Sequence, residues 1–113
     1  MTGQRGKLLR IYVNEHDRHS GKPLYEAIVD RCRELKVAGV TVFRALEGYG
    51  EKAELHHPHL FHNGQPIVIT IVETPEKAQQ ILPVLQKMMN SGLIALADVE
   101  VMMVSNGKIA ALP

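Results

Sequence analysis

Four of the six histidines in this 113-residue chain lie within one short segment, ELHHPHLFHN (54–63). They are His56, His57, His59 and His62. Imidazole is a good ligand for zinc, copper and nickel, so the cluster could bind a divalent metal. Pro58 splits the group, and no cysteine or aspartate lies near it. We therefore expect no stoichiometric metal, and two alternatives stay open: a loop that responds to a partner or ligand, or a solvated surface segment.

A second candidate site is the segment EGYGEK (47–52), in which Gly48 and Gly50 flank Tyr49. Glycines let the backbone approach a ligand closely, and their N–H groups can bind an anion. The same pattern is also typical of a twisted or bulged strand end. The segment alone does not decide between these two interpretations.

The chain lacks the motifs of common enzyme classes, since it has no GxSxG, no Walker A sequence, no HExxH and no CxxC. A net charge of +1 gives no electrostatic case for nucleic acid. No apolar run approaches the roughly 20 residues that span a bilayer, and we expect no signal peptide.

The single cysteine, Cys32, excludes an intrachain disulfide and fits a reducing cytoplasm. These features predict a non-enzymatic cytoplasmic protein, although an enzyme on the same scaffold is a further alternative.

Hydrophobic periodicity predicts four strands and two helices. The strands are expected at 8–15, 40–50, 66–73 and 99–104. The first helix follows Pro23 and places Cys32 on its apolar face, as a small buried hydrophobe. The second begins with Thr74 as N-cap and Pro75 at the first helical position. Pro83 lies inside that helix and should kink it.

The order β-α-β-β-α-β predicts a ferredoxin-like α+β fold, with two helices on one face of a four-stranded antiparallel sheet. The predicted strands are apolar on both faces, because Ile67, Ile69 and Ile71 alternate with Val68 and Val72. A strand with one solvated face would instead alternate apolar and polar residues. One helix layer covers one face only, so we expect a second copy of the chain to cover the other.

Three longer stretches resemble the PII signal-transduction superfamily: GVTVFRALEGYG, PIVITIVETPEKAQQILPVLQ and SGLIALADVEVMMV. The stretch LLRIYVNEHDRHSGKPLYEAIVDRCRELKVAGVTVFRALEGYG is more similar to an uncharacterised PII-like family, domain of unknown function 190. The resemblance covers residues 7 to 104. It implies a single PII-like domain over 1–113, with its core at 7–104, a long T-loop-like segment at 51–65 and a flexible tail at 105–113.

The resemblance also implies a homotrimer whose open sheet faces turn inward. A small-molecule effector, such as ATP, ADP or AMP, would bind in clefts between subunits. Segment 51–65 would contact a protein or membrane-protein target. A CutA-like trimer, which shares this fold and would bind divalent metal through the loop histidines, is the alternative function.

The resemblance assigns the ligand site to two groups of residues. Gly48, Tyr49 and Gly50 match the base of the T-loop, and Ser91 and Gly92 match the start of a second binding turn. Lys52, Arg44 and Lys108 are further cations that could supply charge.

The chain departs from the PII pattern at the cations. Glu51 stands where PII proteins place an arginine, Ala97 and Asp98 stand where they use a lysine, and the arginines past the last strand have no counterpart. A carboxylate in place of a phosphate-binding cation weakens phosphate binding. We therefore expect weak affinity for plain ATP.

Overall fold

The computed structural model describes residues 3–48 and 64–113. Its main elements are four strands and two helices in the predicted order: β1 (Gln4–Asn14), α1 (Leu24–Glu34), β4 (Val40–Arg44), β5 (Pro66–Glu73), α2 (Pro75–Met88) and β6 (Leu93–Val101). Two short hairpins complete the described chain: β2 (Arg18–His19) with β3 (Lys22–Pro23), and β7 (Met103–Ser105) with β8 (Lys108–Ala110).

The four long strands form one antiparallel sheet in the order β4-β5-β1-β6. β1 is a central strand, and Leu9 at its middle pairs with Ile71 on one side and Leu96 on the other. β4 and β6 are the two edges. The predicted α+β architecture, a four-stranded antiparallel sheet with two helices, is thus confirmed.

The core lies between one face of this sheet and the two helices. Alternate residues of β1 and β5 point into it and are almost fully buried: Leu9, Ile11, Val13, Ile67, Ile69 and Ile71. The apolar stripes of the helices cover them, through Leu24, Ile28, Cys32, Ala78, Ile81 and Leu85. Each large buried side chain of this kind contributes about 1.5–3 kcal/mol relative to an exposed one. The prediction that Cys32 is a buried hydrophobe is confirmed.

The start of α2 has the predicted cap. The Thr74 side-chain oxygen accepts a hydrogen bond from the Lys77 backbone N–H at 3.2 Å, and Pro75 occupies the first helical position. Pro83 lies inside the helix on its exposed side, and the helix continues through it to Met88.

Several strand boundaries differ from the predictions. β1 begins at Gln4 rather than at residue 8, and the strand expected at 99–104 is divided between β6 and β7. β4 ends at Arg44, whereas we expect the strand to reach residue 50. β6 begins at Leu93, well before the expected start at residue 99. The segment LIALA has little intrinsic strand preference, but it pairs with β1 over its whole length, and pairing with a central strand overrides a weak local preference.

The segment expected to be a flexible tail contains the turn and second strand of the β7–β8 hairpin. Asn106 and Gly107 form its turn with φ values of 53° and 74°. An Asn-Gly pair favours this two-residue hairpin turn. The Leu112 N–H donates to Gln4 Oε1 at 2.8 Å, which ties the end of the chain to β1.

The described helices include none that is both long enough and apolar enough to cross a membrane.

Candidate ligand-binding site at one end of the sheet

The antiparallel order brings the end of β1, the end of β4 and the starts of β5 and β6 to the same end of the sheet. Gly48 lies at this end, and a Cβ at its position would be 3.3 Å from Pro66 Cγ. Gly92 lies at this end too, and a Cβ there would be 2.7 Å from the Tyr12 carbonyl oxygen. The structure therefore places one residue from each half of the predicted ligand site at the same end of the sheet.

The two halves nevertheless follow opposite edges of the sheet. Gly48 follows β4 and Gly92 precedes β6, and β5 and β1 lie between these strands. Three inter-strand spacings amount to about 14 Å. Gly48 lies against Pro66 of β5, and Gly92 lies against Tyr12 of β1, so each glycine also contacts the inner strand beside its edge.

Ser91 lies beside the turn that follows β1. Together with Asn90, two residues after the end of α2, it lines a small cavity of about 40 Å³, whose other walls are Asp17, Arg18 and Leu24. The Asp17 carboxylate accepts a hydrogen bond from the Asn14 N–H at 2.9 Å, which fixes the turn. The volume suffices for a water or a single functional group of a ligand, not for a nucleotide.

A cluster around Glu15 organises the other half of the sheet end. One Glu15 carboxylate oxygen accepts a hydrogen bond from the Gln65 backbone N–H at 2.6 Å, and the other forms an ion pair with the Arg44 guanidinium. The Glu15 backbone N–H also donates to the Gln65 carbonyl at 2.9 Å. Glu15 therefore contacts both β4 and the residue that precedes β5.

The charges of this cluster stabilise each other. The hydrogen bond from the Gln65 backbone, followed by the hydrogen bond from Arg44, lowers the pKa of Glu15 below its ordinary value of 4.5. The hydrogen bond to Glu15 raises the pKa of Arg44 in turn, with a smaller contribution from Tyr25 on α1. Both groups are thus held in their charged forms at neutral pH.

Gly64 makes the approach of Glu15 possible. Its φ of +92° is in the region that favours glycine, and a Cβ there would lie 2.8 Å from Glu15 Cγ. A larger residue at this position would have to displace the Glu15 side chain.

The sheet face opposite the helices carries an apolar row beside this end. Phe43, Val68, Tyr12 and Leu93 follow one another across β4, β5, β1 and β6 by direct strand pairing. The outer two are the most exposed, Phe43 at 53% and Leu93 at 60%. The prediction that the strands are apolar on both faces agrees with this row, which no helix of the protomer covers.

The remaining predicted site residues lie outside the described ranges: Tyr49, Gly50, Lys52, His56, His57, His59 and His62. Within residues 3–48 and 64–113, no group of three or more histidine, cysteine, aspartate or glutamate side chains is placed to hold a metal ion. The structure thus offers no observation in favour of the CutA-like alternative.

The sequence did not predict that Glu15 joins the ends of the strands, and it indicated no partner for Arg44. The two residues are 29 positions apart, and no local pattern links them. The predicted topology could have indicated this pair. In a ferredoxin-like fold the first and second long strands end at the same end of the sheet, with one other strand between them.

Comparison with known proteins assigns a family. The model of the DUF190 family, described as an uncharacterized ACR, matches residues 6–101. The UPF0166 protein of Aquifex aeolicus is 40% identical over 97 residues, which cover 84% of this chain and 91% of that protein. The UPF0166 protein of Methanocaldococcus jannaschii is 32% identical over 100 residues, covering 86% of this chain and 92% of the relative.

Solved structures with the same fold are PII-like proteins. CPII from Thiomonas intermedia K12, a nitrogen regulatory PII-like protein bound to ADP, AMP and bicarbonate, superposes with a TM-score of 0.65 at 20% identity, over 89% of this chain and 99% of that one. A putative PII-like signaling protein from Thermus thermophilus has a TM-score of 0.63 at 22% identity, over 89% of this chain and 92% of that one. The family match and the two relatives together show that the chain belongs to the DUF190 (UPF0166) family and has a PII-like fold.

Proposed function

We propose that this protein is a non-enzymatic PII-like regulator: a homotrimer that binds a small anionic molecule, of the adenine nucleotide class, in clefts between its protomers. The observation that carries the proposal is the apolar row Phe43–Val68–Tyr12–Leu93 across the open sheet face. The family and the PII-like fold support the interpretation of that row as a contact between protomers.

The row argues for assembly. A protomer that leaves four large apolar side chains in line on one sheet face gains free energy by burying them, at about 25 cal/mol per Å² of apolar surface. The neighbouring row is more polar, since Thr41, Thr70 and Arg10 cross the same face. A contact between copies of this face would therefore be apolar at the row nearest the candidate ligand site and polar at the adjacent row.

The positions of the two glycines argue for a site between protomers. Gly48 and Gly92 lie at the same end but at opposite edges of one sheet. A ring of three copies places the β4 edge of one protomer beside the β6 edge of the next. In that arrangement Gly48 of one protomer and Gly92 of the next would face each other across the interface.

The ligand class rests on the PII-like neighbours, of which CPII is bound to ADP and AMP. The missing cations at Glu51, Ala97 and Asp98 favour a ligand with fewer phosphates than ATP. Occupancy of the cleft would be transmitted through segment 51–65 to a target protein, because Gln65, the last residue of that segment, is hydrogen-bonded to Glu15 of the Glu15–Arg44 cluster.

Two measurements test the proposal. Light scattering on the purified protein should give three protomers at micromolar concentration, and Val68→Asp should give monomer, because it buries an unpaired charge in the interface. Gln80→Asp, on the exposed side of α2, is the matched control and should stay trimeric. A wild-type monomer at that concentration overturns the assembly.

Calorimetry with AMP, ADP and ATP tests the ligand class. We expect at least one of them to bind the trimer, with AMP or ADP tighter than ATP in the absence of metal. Gly48→Val should weaken this binding without dissociating the trimer. Absence of binding by all three nucleotides to a stable trimer contradicts the nucleotide proposal and leaves the assembly standing.

A further inference from the structure

The sheet face opposite the helices, the open face, carries one arginine at its centre, Arg10 in the middle of β1. Its direct neighbours on the adjacent strands are Thr70 of β5 and Ala95 of β6, and Thr41 of β4 lies beyond Thr70. Within residues 3–48 and 64–113 the Arg10 guanidinium has no ion-pair partner, and its side chain is exposed. β1 therefore presents an uncompensated positive charge in the middle of this face.

The four strands offer no negative charge on the open face to balance it. Side chains alternate between the two faces, and the strand carboxylates all lie on the helix side: Glu73 is buried there, and Asp98 and Glu100 of β6 pair with residues of that side. A second copy that contacts this face with its own open face brings another Arg10 and no strand carboxylate. The guanidinium would then meet like charge rather than a partner.

Apolar rows lie on both sides of Arg10. Tyr12 and Val68 belong to one row, and Leu8 and Val72 are paired in the other. Each row is two residues along the strand, about 7 Å from Arg10. A copy that buries both apolar rows must also cover the polar row between them, and covering an unpaired guanidinium is unfavourable unless an anion accompanies it.

We propose that this polar row binds a small inorganic oxyanion, such as phosphate, between protomers, through the Arg10 guanidinium and the hydroxyls of Thr70 and Thr41. This inference rests on the trimer of the proposed function. A guanidinium matches an oxyanion with two parallel N–H donors, and each threonine hydroxyl can donate one more hydrogen bond. The anion takes the place of the carboxylate that the open face lacks, on the side of Tyr12 away from the candidate nucleotide site.

Calorimetric titration of the trimer with inorganic phosphate, at constant ionic strength, tests the site. Wild type should bind phosphate, and Arg10→Met should bind it at least about tenfold more weakly, because the charge-assisted hydrogen bonds are lost. The methionine has a similar length without the charge, so the variant should remain a trimer. Arg5→Met is the matched control: it removes an exposed arginine of the same strand from the other face, and its phosphate affinity should equal that of wild type.

Light scattering gives a readout that does not depend on the heat of binding. Phosphate should lower the protein concentration at which the wild-type trimer dissociates, compared with sodium chloride at the same ionic strength. Arg10→Met should dissociate at the same concentration in both salts, because it has no charge to compensate. An equal effect of phosphate and chloride on wild type would be general screening and would overturn the proposal.

The outcomes separate the oxyanion site from the proposed function. A wild-type trimer that binds no phosphate, or an Arg10→Met trimer that binds it as tightly as wild type, contradicts the oxyanion site alone. A wild-type monomer in both salts contradicts the trimer. AMP distinguishes the two sources of a phosphate group: its affinity should be the same for wild type and Arg10→Met. Loss of AMP binding in Arg10→Met would assign the arginine to the nucleotide and overturn a separate oxyanion site.

Discussion

Glu15, the first residue after β1, and Arg44, the last residue of β4, form an ion pair across β5, the strand that lies between β1 and β4. The same carboxylate accepts the Gln65 N–H at 2.6 Å, so it also holds the start of β5. One side chain thus joins three strands at the end of the sheet where the candidate ligand site lies.

Replacing Glu15 by glutamine should lower stability at neutral pH. The pKa of Glu15 is lowered in the folded protein, so the carboxylate stabilises the fold above its ordinary value of 4.5, and this contribution is lost as the pH falls through the folded pKa. The glutamine variant keeps an acceptor for the Gln65 N–H but loses the ion pair. Urea denaturation should therefore show a lower midpoint than wild type at pH 7 and a smaller difference near pH 3.

The exposed Glu47 provides a matched control for this pH dependence. Glu47→Gln removes one carboxylate near the same end of the sheet, and its denaturation midpoint should follow wild type at both pH values. A Glu15→Gln midpoint equal to that of wild type at pH 7 would show that the ion pair adds no stability. A lower midpoint with the same difference at pH 7 and pH 3 would show that the loss does not come from the carboxylate charge.

Glu73 is a fully buried carboxylate with a structural role. Its oxygens accept hydrogen bonds from the Ala38 N–H at 2.6 Å and the Thr74 N–H at 3.0 Å, which ties the loop before β4 to the start of α2. Glu73→Ala leaves two partly buried donors without this acceptor and should cost about 1–3 kcal/mol of unfolding free energy. Chemical denaturation measures this loss. Glu76→Ala, in the exposed first turn of α2, should cost less than about 1 kcal/mol; an equal loss in both variants contradicts the assignment.

Much of the fold was predictable because its signals are local. The alternation in β1 and β5 and the cap at Thr74 come from residues within a few positions of each other. The structure has β5 and the cap where they were expected, and it has β1 with a start four residues earlier. The start of β6 was not predictable, because residues 93–97 become a strand through pairing with β1. The β7–β8 hairpin had a usable signal in Asn106–Gly107, which fits its observed turn.

The candidate site was less predictable because its geometry is non-local. The sequence identified Gly48 and Gly92, but only the strand order shows that they lie at one end and at opposite edges of the sheet. The partner of Arg44 depends on the same order. A glycine motif indicates only where the backbone is locally free, whereas the position of a cleft depends on which strands are neighbours in the sheet.

Cys32 should be unreactive in the native protein. Burial raises the pKa of its thiol from 9.0 to about 11. A shift of two units lowers the thiolate fraction about 100-fold. Reaction with Ellman's reagent at pH 8 should therefore be at least about 100-fold slower in native protein than in urea-unfolded protein. Comparable rates in the two states would contradict the burial of this thiol.

The same thiol should make stability depend on alkaline pH. Its folded pKa is raised, so its contribution is fully present below pH 9.0 and is lost as the pH rises toward about 11. Cys32→Ala lacks a titrating group and should show a shallower loss of unfolding free energy over this window. Identical slopes for the two proteins in urea denaturation between pH 9 and pH 11 would contradict the expectation.

Replacing Gly92 by a residue with a side chain should destabilise the protein even in the absence of a ligand. Its φ of +141° is rarely adopted by other residues, and a Cβ would lie 2.6 Å from Met89 Cε and 2.7 Å from the Tyr12 carbonyl oxygen. The methionine end can move aside, whereas the Tyr12 carbonyl belongs to a central strand and cannot. Gly92→Ala should therefore cost about 2–4 kcal/mol of unfolding free energy.

Two other glycines separate the causes of that loss. Gly21 has a φ of +83° with open space around it, so Gly21→Ala should show the backbone strain alone, about 1 kcal/mol. Gly39 has open space and no positive φ, so Gly39→Ala should be close to neutral. If denaturation gives Gly92→Ala no larger a loss than Gly21→Ala, the close approach to Tyr12 does not constrain this position. Loss of nucleotide binding in a fully stable Gly92→Ala protein would then assign the residue to the ligand site directly.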